Sequence, residues 1–86
     1  MFVTIWSKDN CIFCDAAVKA CMELADRKKD FKYKILKLHV DFEPEDFSSH
    51  FPFSNTVPQV VIDGKHLGGW AELKKELEDI GNKDSP

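Results

Sequence analysis

The chain has 86 residues and a formal net charge of −3, from 12 Lys and Arg against 15 Asp and Glu. This length suits one compact domain over residues 1–82 with a short tail at 83–86, and a content of 43% hydrophobic residues argues against disorder. No basic cluster suggests nucleic acid as a partner. No segment has the length of a signal-peptide core or a membrane span, so we expect a monomeric cytoplasmic protein that binds no membrane.

The first half of the chain predicts a strand, a helix and a second strand. Residues 2–6 are bulky or β-branched and predict a short buried strand. From Cys11 to about Lys29, apolar residues recur in steps of three and four, which is typical of a helix with one buried face. Residues 31–40 alternate Lys with apolar side chains and predict the second strand. The alternation slips between Ile35 and Leu36, which a bulge or burial on both faces would explain.

The second half predicts a short helix, a hairpin and a last helix. Pro44 suits the first turn of a helix over Pro44–His50. Residues 57–62 and 65–67 predict two strands joined by the turn dipeptide Asp63-Gly64. A final helix is expected over residues 70–80 with Gly81 as its stop, followed by a frayed tail from residue 82. The order β-α-β-α-β-β-α predicts an α/β fold with a mixed four-stranded sheet flanked by helices, its first two strands parallel.

Cys11 and Cys14 carry the strongest chemical signal, because two cysteines separated by two residues lie at a strand-to-helix junction. At a helix N-terminus, unpaired amides and the helix dipole stabilise a thiolate, so we expect Cys11 to be more acidic than an ordinary thiol, whose pKa is about 8.5. The thiolate is the species that attacks disulfides. We therefore predict that Cys11 is the nucleophile and Cys14 the resolving thiol, with Lys8 adding positive charge nearby.

The remaining candidates for chemistry are weaker. A structural zinc site normally needs four ligands, and no second Cys pair accompanies Cys11 and Cys14, while the three His are scattered. Metal binding by the pair remains an alternative, since a CxxC motif alone does not specify its role. Cys21 lies on the predicted buried stripe, where a free Cys packs as a small hydrophobic residue. We assign the histidines no chemistry.

Three motifs in order resemble those of the glutaredoxins over nearly the whole chain. Ser7-Lys8 followed by Cys11-Ile12-Phe13-Cys14 resembles the active-site segment of the family, Thr56-Val57-Pro58-Gln59-Val60 its Thr-Val-Pro strand, and Gly68-Gly69-Trp70 its Gly-Gly turn. The resemblance implies a thioredoxin-like fold. In its shortness the chain is similar to the compact glutaredoxins of large bacterial viruses.

The same resemblance implies a glutathione site and a cis peptide bond between Val57 and Pro58. The backbone of Val57 would pair with an extended peptide such as glutathione, as an added strand would. Helix N-terminal amides suit carboxylates, which gives a physical reason for a site at the start of the last helix. The implied glutathione-binding residues are Lys8, Phe13, Thr56, Val57, Pro58, Gly69 and Trp70.

The sequence also departs from the family pattern. Family members commonly have Pro and Tyr between the cysteines, where this chain has Ile12 and Phe13 and therefore lacks the tyrosine hydroxyl. An Asp often follows the second Gly by two residues and binds the γ-glutamyl amine, but Ala71 takes that place. Glu72 is the nearest substitute.

The resulting hypothesis is an enzyme that reduces protein disulfides or glutathione mixed disulfides, with glutathione as reducing co-substrate and no tightly bound cofactor. The family resemblance suggests ribonucleotide reductase as a protein substrate. One alternative is a thioredoxin-like protein that thioredoxin reductase reduces. Another is a binding module that holds an iron-sulfur cluster or zinc through Cys11 and outside ligands. Cys14 and Ile12 argue against this binding module, because family members that carry a cluster usually read Cys-Gly-Phe-Ser.

Overall fold

The computed structural model of the chain describes residues 1–83 and has the predicted element order. Three helices and four strands follow one another as β1 (Phe2–Ser7), α1 (Ile12–Arg27), β2 (Lys32–Lys37), α2 (Pro44–His50), β3 (Gln59–Ile62), β4 (Lys65–Gly68) and α3 (Trp70–Lys83). Within residues 1–83, no helix has both the length and the apolar character needed to cross a membrane.

The four strands form one mixed sheet in the order β2-β1-β3-β4. β1 runs parallel to β2, as a crossover through α1 requires, and β3 is antiparallel to both β1 and β4. The pairing of β3 with β4 shifts register between Val60 and Val61. The predicted fold class and the parallel pairing of the first two strands are therefore confirmed.

Two separate cores cover the two faces of the sheet, because successive side chains of a strand point to opposite faces. Ile5 packs with α1 and α3, whereas its neighbour Trp6 packs with α2. The α1–α3 core consists of Val3, Ile5, Ala17, Cys21, Leu24, Phe31, Val60 and Leu73. The aromatic core consists of Trp6, Phe42, Phe47 and Phe51.

Two-sided burial explains the slipped alternation in β2. The register of β1 with β2 is continuous from Phe2 opposite Lys32 to Ser7 opposite Lys37, so no bulge is present. Leu36 packs against the aromatic core, while Ile35, one residue earlier, is half-buried on the opposite face.

Several predicted boundaries are wrong by a few residues. α1 ends at Arg27, not Lys29, because Lys28 is already extended, with φ −124° and ψ 116°. β2 ends at Lys37, where a turn begins. The Lys37 carbonyl accepts from the Asp41 amide at 2.7 Å, and the Lys37 amide donates to Asp41 Oδ2 at 2.8 Å. The chain turns there, with His39 at φ +66°.

Gly81 was predicted as the stop of the last helix, and this prediction is wrong. α3 continues through Gly81 to Lys83, and Gly81 does not adopt the positive φ that a left-handed helix cap requires. The predicted tail therefore begins inside a helix at residues 82 and 83. Its remainder, residues 84–86, lies outside the described residues.

Candidate active site

Cys11 lies at the N-terminus of α1, as the sequence predicts, and is the N-cap residue of this helix. Its backbone is extended, with φ −126° and ψ 109°, and its Sγ accepts a hydrogen bond from the Cys14 amide at 3.2 Å. Asn10 precedes it at φ +54°, a left-handed conformation that Asn tolerates better than most residues. The turn at Asn10 thus places the sulfur against an unpaired amide at the start of the helix, where a thiolate is stabilised.

Cys11 opens into a groove of about 680 Å³ between the start of α1 and α2, here called the α2 groove. The residue itself is only 9% exposed, but the next two side chains stand in solvent, Ile12 at 81% and Phe13 at 60%. Apolar side chains line most of the opposite wall, among them Leu38, Phe42 and Phe47. The sequence did not identify these three as site residues. The run of Phe after residue 41 was the available signal.

A second groove of about 480 Å³, here called the α3 groove, leads from the same point towards the start of α3. The two grooves share Phe13, Thr56 and Val57. Six of the seven residues predicted to bind glutathione line the α3 groove, and the seventh, Lys8, lines the α2 groove. The α3 groove is lined by Phe13, Thr56, Val57, Pro58, Gly69, Trp70, Ala71 and Glu72.

Val57 lines both grooves and contacts Cys11. The Val57–Pro58 peptide bond is cis, which confirms the prediction. The Cys11 thiol donates to the Val57 carbonyl at 3.7 Å. Within residues 1–83, no protein group accepts a hydrogen bond from the Val57 amide, so this donor is open to a ligand.

Cys14 lies one helical turn after Cys11 and is 2% exposed. Burial is the main cause that raises the pKa of Cys14 to about 12, and a hydrogen bond with the Cys11 side chain acts in the same direction. The backbone of Lys8 opposes these effects by hydrogen bonding to the Cys14 sulfur. At neutral pH Cys14 is therefore a thiol, and it donates to Cys11. The two sulfurs also differ in access, because Cys11 lines the α2 groove and Cys14 lines neither groove.

The family model for glutaredoxin matches residues 3–67 of the chain. The chain belongs to the glutaredoxin family. It is therefore a thiol-disulfide oxidoreductase, and the sequence prediction of an enzyme with a thioredoxin-like fold is confirmed.

Curated relatives and solved structures agree with this assignment. A glutaredoxin of Haemophilus influenzae is 30% identical over 81 residues, which cover 92% of this chain and 93% of the relative. Glutaredoxin 1 of Salmonella typhimurium is 28% identical over 76 residues, 86% of this chain and 87% of the relative. The structure of reduced Escherichia coli glutaredoxin matches with a TM-score of 0.81 at 24% identity, covering 99% of this chain and 100% of that one, and supports the fold.

In this glutaredoxin the start of α3 is already capped by its own carboxylate. Glu72 Oε1 accepts a hydrogen bond from the Gly69 amide at 2.8 Å, while the side chain of Ala71 offers no polar group. Gly68 is required here because its φ is +139° and a Cβ would lie 2.5 Å from Glu72 Oε1. Trp70 and Ala71 line the α3 groove at the first two positions of the helix, where backbone amides have no partner within the helix.

Cys21 lies outside the site, in the α1–α3 core. It is fully buried, and burial raises the pKa of its thiol to about 11. The prediction that it packs as a small hydrophobic residue agrees with this position. Among residues 1–83, no group of three or more His, Cys, Asp or Glu side chains could hold a metal ion.

Charged side chains near Cys11 are exposed and partly paired. Lys37 Nζ lies 2.8 Å from Asp9 Oδ1, and this hydrogen bond raises the pKa of Lys37. Lys8 is exposed at the mouth of the α2 groove. Lys8 therefore lines the same groove as Cys11, in a position that contacts solvent.

Proposed function

We propose that this glutaredoxin uses a Cys11/Cys14 dithiol to reduce protein disulfides and glutathione mixed disulfides, with glutathione as the reducing co-substrate. The observation that carries the proposal is that Cys11 lines the α2 groove and hydrogen-bonds to Val57, which lines both grooves. One groove has the dimensions and backbone donors for a short peptide, and the other has the apolar wall that a protein chain would contact. A substrate that contains a protein part and a glutathione part would occupy both.

In the first step, the Cys11 thiolate attacks the glutathione sulfur of a mixed disulfide. A bond forms between Cys11 and the glutathione sulfur as the protein–glutathione bond breaks, and the protein leaves as a thiolate that takes up a proton. A second glutathione, as thiolate, then attacks the glutathione sulfur on Cys11. Glutathione disulfide leaves and the Cys11 thiolate is restored, so one free glutathione is consumed for each mixed disulfide. The glutathione disulfide contains that molecule and the one removed from the protein substrate.

Glutathione recognition would follow the α3 groove. The open Val57 amide would pair with the backbone of the tripeptide as an added strand does, and Phe13 would flank its chain. The free amides of Trp70 and Ala71 would receive the γ-glutamyl carboxylate, because helix N-termini favour anions. Lys8 would meet the glycine carboxylate at the other end. Thr56, Pro58 and Gly69 complete the wall of the groove.

A protein disulfide would require Cys14 as well. After Cys11 has attacked, its sulfur is held in a mixed disulfide and carries no charge, so the two contributions of Cys11 to the raised pKa of Cys14 disappear. Burial remains, and the Lys8 amide is there to stabilise the Cys14 thiolate. Cys14 then attacks Cys11, closes the intramolecular disulfide and releases the substrate as a dithiol. Two glutathione molecules reduce the Cys11–Cys14 disulfide.

The matched variants Cys11→Ser and Cys14→Ser test this division of roles. With glutathione, glutathione reductase and NADPH present, Cys11→Ser should lose the reduction of both substrate classes. Cys14→Ser should keep the reduction of a glutathione mixed disulfide and lose that of a protein disulfide, because only the latter needs a second thiol. The proposal fails if wild-type protein does not turn over or if Cys11→Ser remains active.

Ribonucleotide reductase is the protein substrate that we propose from the family resemblance, which also supports a cytoplasmic location. A ribonucleotide reductase supplied with glutathione, glutathione reductase and this protein should turn over without dithiothreitol. Turnover no faster than without this protein would remove this substrate and leave the oxidoreductase activity intact.

Reduction by thioredoxin reductase is a second candidate, favoured by the start of α3. Ala71 offers no carboxylate for the γ-glutamyl amine, and the Glu72 carboxylate already occupies the Gly69 amide. Replacing glutathione and glutathione reductase by thioredoxin reductase in the same assay discriminates between the two reductants. Faster turnover with thioredoxin reductase would overturn the proposed dependence on glutathione.

A further inference from the structure

A chain of hydrogen bonds connects β4 to the loop beside Cys11. The Gln59 side chain is buried, at 6% exposure for the residue, and its Nε2 donates to the Thr56 carbonyl at 2.9 Å. The His66 Nε2 lies 2.7 Å from Gln59 Oε1. Because Oε1 can only accept, His66 must carry a proton on Nε2.

The His66 ring is held from a second side by the aromatic core. Its centroid lies 4.6 Å from that of Phe51, which is 3% exposed and packs edge-on against Trp6. The imidazole is therefore fixed by both a ring contact and a hydrogen bond, although the residue is exposed overall. We assigned His66 no chemistry from the sequence, because the position of His66 in the chain does not indicate its contacts with Gln59 and Phe51.

Thr56 and Val57 are the residues that this network holds in place. Both line the α2 groove and the α3 groove, and the Val57 carbonyl accepts the hydrogen bond from the Cys11 thiol. The segment lies outside the sheet, since β3 begins only at Gln59. The side chain of Gln59, the first residue of β3, thus connects the Thr56 carbonyl to the sheet.

We propose that His66 and Gln59 are positioning residues that set the place of the Thr56–Val57 backbone relative to Cys11, and so determine how well a disulfide substrate binds. His66 acts through Gln59 and touches neither the substrate nor the sulfurs. The inference rests on the proposed binding of substrate at Val57. It goes beyond that proposal by assigning a role to two residues outside both grooves.

Two substitutions of His66 separate the hydrogen bond from the ring. His66→Phe keeps a ring for contact with Phe51 and removes the donor, whereas His66→Gln keeps an N–H donor at a similar reach and removes the ring. The substrate is an S-glutathionylated peptide. Loss of one hydrogen bond predicts about a fivefold rise in KM for His66→Phe with kcat changed less than about twofold. His66→Gln should return KM to near the wild-type value.

The Val57 amide resonance in the NMR spectrum of the substrate-free protein provides a readout that does not depend on glutathione. It should shift in His66→Phe and return towards the wild-type position in His66→Gln. An unchanged KM and Val57 resonance in His66→Phe would overturn the inference, and so would equal impairment of both variants. If wild-type protein does not use glutathione, the proposed function fails, and the Val57 resonance still decides the positioning role.

Discussion

The two faces of the sheet carry cores of different composition, and the two active-site cysteines are placed differently with respect to them. On one face, two long helices bury mostly aliphatic side chains, and the buried stripe of α1 contains both Cys14 and Cys21. On the other face, a seven-residue helix and its flanking loops bury aromatic rings, with centroids 4.7 to 6.3 Å apart around Trp6. Cys11 lies where the two faces meet, at the start of α1 and beside the α2 groove.

This difference indicates a division of labour. The α1–α3 core has regular helices on a regular sheet and fixes α1, which sets the distance between Cys11 and Cys14. The aromatic core forms one wall of the α2 groove through Phe42 and Phe47, and it supports the His66 ring through Phe51. Changes in the first core should therefore affect stability, while changes in the second should also affect substrate binding.

The largest expected effect is a loss of stability in the α1–α3 core. Ile5 is fully buried between the sheet and the helices, so Ile5→Ala should lower the free energy of unfolding by about 2 to 5 kcal/mol through lost burial and a cavity. Urea denaturation measures this loss. Ile35→Ala, at a half-buried position on the same face, is the matched control and should cost less. Equal losses would show that Ile5 is not the centre of this core.

A substitution in the aromatic core should weaken the binding of a protein substrate. Phe47→Leu removes part of the α2 groove wall and should raise KM for a protein disulfide about fivefold, the effect of losing ~1 kcal/mol of contact. KM for a glutathione mixed disulfide should change less, because the α3 groove is intact. Phe31→Leu, in the α1–α3 core, is the control and should leave both KM values unchanged. A rise of both values in the control would contradict the division of labour.

The smallest effect is a pH dependence contributed by Cys21. The thiol ionises near pH 9.0 in the unfolded chain, but burial raises its pKa to about 11 in the folded protein. The folded state then holds the proton that the unfolded state loses, so this contribution to stability is complete below pH 9 and decreases as the pH rises. Between pH 8 and pH 10 the free energy of unfolding should fall by about 1 kcal/mol more in wild type than in Cys21→Ala. Parallel pH profiles would contradict the burial effect on Cys21.

The sequence was sufficient to predict the elements because each has a strong local signal. Hydrophobic periodicity gave α1, the Asp63-Gly64 dipeptide gave the hairpin, and Pro44 gave the start of α2. Boundaries were less certain because they depend on contacts outside the segment. Hydrogen bonds between Lys37 and Asp41 hold the turn that follows β2. Packing of Leu77 and Ile80 on the α1–α3 core accompanies a helix that continues past Gly81.

The site was predictable to the extent that it follows from local sequence and a family pattern. Cys11 and Cys14 are only three positions apart in the sequence, and the Thr-Val-Pro and Gly-Gly motifs indicated the α3 groove. The α2 groove and the His66–Gln59 network were not predictable, because they form only when α2, β3 and β4 pack together. Glu72 is an intermediate case, since its position was noted but its hydrogen bond to the Gly69 amide required the structure.

The most direct test of the account is the rate of alkylation of the reduced protein by iodoacetamide across a pH series, with each cysteine followed by mass spectrometry. Cys11 should react alone at pH 8. The pKa of Cys14 is about 12, so at this pH only about one Cys14 thiol in ten thousand is ionised. Across the series the rate at Cys11 should stay about tenfold or more above the rate at Cys14, whose thiol is buried and protonated. Labelling of Cys14 as fast as Cys11 would contradict the account.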